Sequence, residues 1–290
     1  MKKLLLLLLC MPLIFSCGEN YEKEKNQEEI KRPKSFLELW KVKGNVKSAE
    51  YTMYSVSEKF GEIKKEDIIE DPFFDSDEWF FGNKKSILNK FGDIKKISVY
   101  NNEGNKIAGR VVGFNSDEIP ISIKWEDNLN HQKGRGEFKL DRDDYSKRFY
   151  GYNENSNLTS IEIYKRNKDG RIIKSSTFYS VTSWSNENFE EEVLRNQLEP
   201  DLLLEWKYDA TGNWIETSRY INNELVSVTK LEYDKFDNRV SHRIYDGEGN
   251  LDSRWEYKDK DNMGNWTSRI RYDKNNNAEY LQEYKFKYYD

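Results

Sequence analysis

A repeated tyrosine-and-turn pattern decides the fold of this chain, and it is clearest over residues 206–250, which read WKYDATGNWIETSRYINNELVSVTKLEYDKFDNRVSHRIYDGEGN. Tyrosines recur in steps of 12, 13, 12, 12, 15 and 12 residues at Tyr208, Tyr220, Tyr233, Tyr245, Tyr257, Tyr272 and Tyr284. Many are followed by a turn with Asp first and Gly fourth, as in DATGN at residues 209–213. The Asp side chain caps the turn's own backbone, and Gly accepts the left-handed conformation at which the chain re-enters a sheet. The pattern predicts antiparallel strands joined by short turns.

Between the turns, the side chains alternate with a period of two. Leu202, Leu204 and Trp206 share one side of a predicted strand, and alternation of this kind is typical of a sheet with one buried face. We expect the aromatic face to be the core. We expect the opposite face to be solvated, with cross-strand charge pairs; its arginines are Arg219, Arg243, Arg254, Arg269 and Arg271.

A less regular form of the same pattern runs upstream, with turns such as NNEGN at residues 101–105. Residues 185–199 interrupt it, because Phe189, Val193 and Leu198 lie near helical spacing before Pro200 ends the run. The expected fold is therefore all-β: a long, curved antiparallel β-meander over residues 35–290, with one short helical insertion at about 185–199.

The motif Tyr-Asp-x-x-Gly-Asn at these steps resembles the YD repeats of RHS-type bacterial proteins. The whole layout resembles a narrower, uncharacterised group of bacterial lipoproteins built from YD/RHS-like repeat hairpins. The resemblance spans roughly residues 40–290 and is strongest from residue 206. It implies architecture and no activity, since that group has none that is settled. The large RHS proteins enclose a toxin, and we do not expect that role here.

The first seventeen residues have the features of an export signal. Lys2 and Lys3 precede an apolar stretch, Leu4 to Leu9 and Met11 to Phe15, which is shorter than the roughly 20 residues that span a bilayer. The following Ile14-Phe15-Ser16-Cys17 resembles the lipobox of bacterial lipoproteins. This resemblance implies a signal peptide over residues 1–17, with lipid attachment at Cys17 after cleavage behind Ser16. Two or more acyl chains suffice for stable anchoring.

Cysteine usage fits this interpretation. Both cysteines, Cys10 and Cys17, lie in the signal, and the body has none, which suits an exported protein. Residues 18–34 carry ten charges in seventeen positions and predict a charged flexible tether. Gly18 after Cys17 favours the outer membrane of a bacterial cell envelope, on either its periplasmic or its surface face.

Composition excludes several function classes. The net charge of −5 gives no basic field for nucleic acid. Two histidines and the absence of a phosphate loop, an HExxH motif or a nucleophile elbow leave no catalytic residue, metal or cofactor to predict.

Two tryptophans are the only ligand-binding candidates. Trp214 and Trp266 both follow Gly-Asn at the end of a turn, where a ring at the rim of a sheet can stack on a glycan or peptide; packing in the core is the competing interpretation. The sequence favours a membrane-anchored, non-catalytic envelope lipoprotein that acts as a binding or scaffolding module for a glycan, peptide or protein partner. The alternatives are a polysaccharide-processing enzyme with carboxylates in a groove, and an antitoxin- or immunity-like partner protein.

Overall fold

The computed structural model describes residue 37 and residues 41–69, 83–114, 120–127, 132–140, 146–180, 186–195 and 198–290. The predicted signal peptide, Cys17 and the tether lie outside these residues. The described strands are β1 Val46–Lys59, β2 Glu62–Ile68, β3 Lys84–Leu88, β4 Ile94–Tyr100, β5 Lys106–Phe114, β6 Pro120–Asp127, β7 Gln132–Leu140, β8 Ser146–Asn153, β9 Leu158–Arg166, β10 Ile172–Tyr179, β11 Leu202–Tyr208, β12 Trp214–Ile221, β13 Glu224–Tyr233, β14 Arg239–Asp246, β15 Leu251–Lys260, β16 Trp266–Asp273 and β17 Ala278–Tyr288. One helix, α1, spans Asn186–Leu194.

The sheet closes on itself. From β3 onward each strand pairs antiparallel with the next, and β17 then pairs with β1, for example Tyr284 opposite Tyr51. The other edge of β1 pairs with β3, where Ala49 lies opposite Ser86. Of the seventeen strands, β2 pairs with β1 beside this ring, so β1 and β3–β17 form a closed barrel of sixteen.

The all-β, antiparallel prediction is confirmed, but the sheet is a closed barrel rather than a long, curved meander. A meander has two edge strands with unpaired backbone groups, and pairing β1 with β17 removes both. The pairing joins residues more than two hundred positions apart, so no short-range pattern in the sequence signals it.

The turns fall at two ends of the barrel. One end carries the turns at residues 89–93, 167–171, 209–213, 234–238 and 261–265, together with the start of β1. Leu37 and Lys41–Asn45, named here the strap, cross this end, which we call the strap end. The opposite end carries the turns at residues 101–105, 153–157, 222–223, 246–250 and 273–277.

The inner face of the barrel is buried and partly polar. Following the register around the ring places Tyr51, Arg110, Glu162, His242 and Arg269 on this face, and all five are buried. Buried aliphatic and aromatic residues of the same face, such as Ile97, Phe149, Leu204 and Trp255, separate them. The polar groups are thus embedded in an apolar lining.

The outer face carries charged side chains in cross-strand pairs. Lys207 and Glu216 approach to 2.6 Å, Arg243 and Glu232 to 2.9 Å, and Lys85 and Glu50 to 2.8 Å. A surface of this kind is typical of a sheet that faces water, since the outward face of a barrel set in lipid is apolar. The prediction of solvated charge pairs therefore holds for Arg243.

Helix α1 covers one patch of the outer face. Its Phe189 and Val193 are buried against Tyr150, Ile161 and Phe178 of β8–β10, whose neighbours along each strand point inward. The helical insertion predicted at about residues 185–199 is confirmed over Asn186–Leu194. Among the described residues, no helix has the length and apolarity that crossing a bilayer would require.

Candidate functional site

A cavity of about 60 Å³ lies at the strap end of the barrel. Its wall is aromatic and cationic and includes Tyr51, Arg239, Tyr257, Trp266, Arg269 and Tyr284, with Lys41 and Val42 of the strap beside them. One water requires roughly 10–15 Å³ of cavity volume measured in this way, as the space open to the centre of a water molecule. This cavity therefore accommodates a few waters or one small polyatomic ion. Among the described residues that line it, three are cationic and none is acidic.

Arg269 forms the deep wall of the cavity. Only 1% of its surface is exposed, and its guanidinium lies 3.9 Å from the centre of the Trp255 ring. Its Nε donates to Oε1 of Gln282 at 2.8 Å, and the Tyr284 hydroxyl donates to the same oxygen at 2.9 Å. The guanidinium is therefore held in one orientation by a ring face and an amide, as cation–π and hydrogen-bond geometry require.

Arg239 is the second buried cation of the wall. Its guanidinium lies 5.6 Å from the Trp214 ring and 5.9 Å from the Tyr233 ring. Although burial opposes it, the pKa of Arg239 is raised above its ordinary value by the phenolic oxygens of Tyr257 and Tyr233. Arg239 is accordingly charged at any physiological pH.

Trp266 connects the two sides of the cavity. Its indole Nε1 donates to the carbonyl oxygen of Arg239 at 3.0 Å. Its ring lies 5.7 Å from that of Tyr257, and Lys260 Nζ lies 4.0 Å above it. The ring is half-buried and belongs to the cavity wall.

Burial and the nearby arginines both act on His242, which lies next to Trp255 on the inner face. Burial, together with Arg269, Arg239 and Arg271, lowers the pKa of His242 well below its usual value. His242 is therefore neutral near pH 7, and the positive charge of this region comes from the arginines.

The strap is fastened over the cavity by the asparagines that end two turns. Asn265 accepts a bond from Lys43 N at 2.6 Å and donates to Lys43 O at 2.9 Å. Lys43 Nζ donates to Asn238 Oδ1 at 2.8 Å, and Lys41 Nζ lies 3.4 Å from Asp237 Oδ2. These contacts hold Lys41 and Val42 against the mouth of the cavity.

The two predicted ligand-binding tryptophans have different positions. Trp266 lines the cavity, whereas Trp214 stacks under Arg239 and its carbonyl accepts the Tyr233 hydroxyl at 2.8 Å. Both are half-buried, as is Trp206, and Trp255 is buried. Ligand binding by either ring stays a prediction, as does lipid attachment at Cys17, which lies outside the described residues.

The expected placement of the arginines on a solvated face is wrong for three of them. The register sets Arg219 opposite Leu204 and Arg271 opposite Trp255, so both lie on the inner face and are half-buried, and Arg269 is buried there. Alternation along the sequence puts Arg269 on the charged face of its strand, but this face points into the barrel. The register of β16 sets Arg269 opposite Gln282 on one side and Tyr257 on the other, and these side chains provide the partners that a buried guanidinium needs. Alternation showed that Arg269 and Ile270 face opposite ways, but both sides of the strand are buried there.

Sequence reasoning missed Arg239 as a site residue. Arg239 follows the turn at residues 234–238, and its strand has a register shift where Tyr233 pairs with Arg239. A bulge of this kind re-aims a side chain and turns Arg239 inward. Within the described part of the chain, no three His, Cys, Asp or Glu side chains come together as metal ligands would.

No family model and no curated protein matches this sequence. Solved structures show remote likeness to this chain, among them the following three. A porin-like protein from Bacteroides uniformis is 9% identical, covering 83% of this chain and 98% of that chain, with a TM-score of 0.32. A DUF1329 family protein from Desulfovibrio piger is 10% identical, covering 84% and 86%, with a TM-score of 0.27. A complex described as TcdB2–TccC3–Cdc42 is 12% identical over 77% of this chain and 14% of that chain, with a TM-score of 0.14. Similarities this low carry no argument about function.

Proposed function

We propose that this protein is a lipid-anchored lipoprotein of the bacterial cell envelope that binds, without catalysis, an anionic group of a glycan, peptide or small molecule in the cavity at the strap end. The observation that carries the proposal is the lining of the cavity, in which Arg239 and Arg269 are held against aromatic rings. Guanidinium groups recognise carboxylates and phosphates, and aromatic rings beside them add contact area for the rest of the ligand.

The same lining supports a binding role over the polysaccharide-processing alternative. Glycoside hydrolysis generally uses two carboxyl groups that flank the bond to be cleaved. The described residues around this cavity offer cations, phenols and an indole instead.

Lipid anchoring rests on the lipobox-like Ile14–Cys17, and the outer face is compatible with it. Lys207–Glu216 and Arg243–Glu232 lie on that face, which favours a domain held beside a membrane over one embedded in it.

Arg269→Met tests the binding site. We expect saturable quenching of tryptophan fluorescence when inorganic phosphate or acetate is titrated at constant ionic strength, because Trp255 and Trp266 lie beside the arginines. Arg269→Met should weaken binding at least about tenfold, the cost of losing one charge-assisted hydrogen bond. The variant should still fold, since the Tyr284 hydroxyl continues to donate to Gln282 Oε1 and the flexible methionine side chain fills space beside the Trp255 ring.

Arg243→Met is the matched control, because Arg243 lies on the outer face and pairs with Glu232. It should bind the probe anions as the unchanged chain does. Equal responses in the Arg269 and Arg243 variants, or no response in the unchanged chain, would rule out an anion site here.

Lipid attachment is tested by metabolic labelling with a clickable palmitate. The unchanged chain and Cys10→Ala should both incorporate the label, whereas Cys17→Ala should not. Label in the Cys17→Ala variant, or none in the unchanged chain, would contradict anchoring through Cys17.

A further inference from the structure

Three turns at the strap end share a chemical feature that the proposed function does not use. The turns at residues 89–93, 234–238 and 261–265 each place a large apolar side chain at the third position. These side chains are Phe91, Phe236 and Met263, which are 38%, 66% and 47% exposed. Apolar side chains of this size at turn tips expose surface that a partner can cover.

Lysines accompany both phenylalanines. Lys90 Nζ and Lys235 Nζ each lie 5.0 Å from the ring centre of the phenylalanine that follows. The two acids at the tips of the described turns of this end already have cationic neighbours: Asp237 lies 3.4 Å from Lys41, and Asp169 lies 3.5 Å from Arg171. Two of the three apolar tips therefore combine an aromatic ring with a lysine.

The strap brings these three turns together. Leu37 N donates to Gly92 O, Lys41 pairs with Asp237, and Lys43 bonds to Asn265. All three turns thus lie around one short piece of chain, although they come from distant parts of the sequence.

The strap is the described segment nearest to Cys17 along the chain. Residues 18–34 reach at most about 60 Å when fully extended, so in a chain anchored at Cys17 the strap end lies within reach of the bilayer. At the opposite end, three of the described turns have exposed acidic tips, Glu103, Glu154 and Glu248, which an anionic surface repels, whereas the turn at residues 273–277 has Lys274.

We propose that the strap end docks on an anionic phospholipid surface, with Phe91, Phe236 and Met263 entering the headgroup region and Lys90 and Lys235 contacting lipid phosphates. Aromatic and aliphatic side chains flanked by lysine are the usual composition of interfacial membrane contacts. The docking rests on the proposed anchoring only in that the anchor keeps the strap end near the bilayer, since the turn tips belong to the folded barrel. It also places the mouth of the cavity against the bilayer.

A pair of labelled variants tests the orientation. Asn262→Cys and Asn102→Cys each replace an exposed asparagine at the second position of a turn, the first at the strap end and the second at the opposite end. Beyond residue 17 the unchanged chain has no cysteine, so each variant carries one new thiol for the label. Each lipidated chain is labelled with a polarity-sensitive dye and reconstituted on vesicles of phosphatidylglycerol and phosphatidylethanolamine carrying brominated tails. We expect a blue shift and quenching by bromine at residue 262 and neither at residue 102.

A second pair of variants tests the side chains. Phe91→Ser combined with Phe236→Ser should abolish the blue shift at residue 262. Phe60→Ser is the control, since Phe60 also follows a lysine. It should leave the blue shift unchanged, because Phe60 lies at the tip of the β1–β2 hairpin, away from the strap. The double variant Lys90→Glu, Lys235→Glu should lower the ratio of inserted to aqueous label about fivefold for each lysine replaced.

Equal aqueous emission at residues 262 and 102, or insertion that survives the double serine variant, would overturn the docking. Acylation is read separately from the mass of the same samples. If the chain carries no acyl groups and the residue 262 label still inserts, lipid attachment at Cys17 is refuted and the docking stands. If the chain is acylated and the label stays aqueous, the docking is refuted and lipid attachment stands.

Discussion

The two ends of the barrel use the same turn and put it to different uses. At the strap end, Asp209, Asp234 and Asp261 accept the backbone N–H of the asparagine four residues on, at 2.8, 2.9 and 2.8 Å. At the opposite end, Asp246 and Asp273 do the same, at 2.8 Å each. Locally the turns are equivalent.

Their last residues nevertheless have opposite environments. Asn213, Asn238 and Asn265 are buried, whereas Asn250 and Asn277 are exposed. The difference arises because the side chains of the first group bond beyond their own turn, to Asp237, to Lys43 and to Tyr288. A repeat that looks uniform in sequence therefore contains structural anchors at one end and surface turns at the other.

The largest effect is expected from removing one such anchor. Asn265→Ala should lower the free energy of unfolding by about 2–4 kcal/mol, because the backbone N–H and carbonyl of Lys43 lose their partner and the Tyr288 hydroxyl keeps only its bond to Asp261. Asn277→Ala loses a bond to Asp273 at 2.9 Å in an exposed turn and should cost less than about 1 kcal/mol. Urea denaturation measures both, and equal costs would contradict the distinction between the ends.

A smaller difference is expected at the glycines of the turns. Gly212 and Gly249 have φ of +85° and +87°, so alanine is strained at both positions. Gly249→Ala meets nothing within 4 Å and should cost about 1 kcal/mol. Gly212→Ala should cost about 1 kcal/mol more, because its Cβ would lie 2.0 Å from Arg171 Nη2 and displace that guanidinium from the Tyr208 ring. Identical shifts of the urea midpoint would show that the strap end is not packed more tightly.

The smallest effect concerns acid stability. Hydrogen bonds lower the pKa of both Asp261 and Asp273. At Asp261 burial raises the pKa, but the hydrogen bonds outweigh it, and the strongest of them comes from the Tyr288 hydroxyl. At Asp273 the strongest hydrogen bond comes from the Asn277 amide. A carboxylate with a lowered folded pKa stabilises the fold above its unfolded pKa of about 3.9 and loses this effect as the pH falls through the folded value. Stability should therefore decline on acidification.

Asparagine variants separate the two carboxylates. Asp261→Asn should flatten the decline in urea midpoint between about pH 5 and about pH 2 more than Asp273→Asn does, since Tyr288 binds only the former. A decline unchanged in both variants would mean that other groups, such as neutral, buried His242, dominate acid unfolding.

Much of the fold was readable from local chemistry. The spacing of Tyr208, Tyr233 and Tyr257 and the Asp-x-x-Gly-Asn turns predicted antiparallel hairpins, and the helical spacing of Phe189 and Val193 predicted α1. These signals act within a few residues, because an Asx cap or a positive φ depends only on the turn itself.

The site was readable only in part. The sequence indicates Trp266 because it follows a turn. It predicts Arg269 to be a surface charge and gives no signal for Arg239. Which side of a strand becomes the interior depends on register and bulges around the whole ring, and burial of Arg269 depends on Trp255 and Gln282 from two different strands.

The amino-acid sequence by itself determined the unit of this protein, a tyrosine-bearing strand with an Asp-capped, Gly-bearing turn, because these interactions are short-range. The tertiary structure alone decided that sixteen strands close into a barrel by pairing β1 with β17, which face turned inward, and which turns came to hold the strap. Those outcomes depend on backbone pairing and desolvation between residues far apart in the chain, and a local repeat carries no information about them.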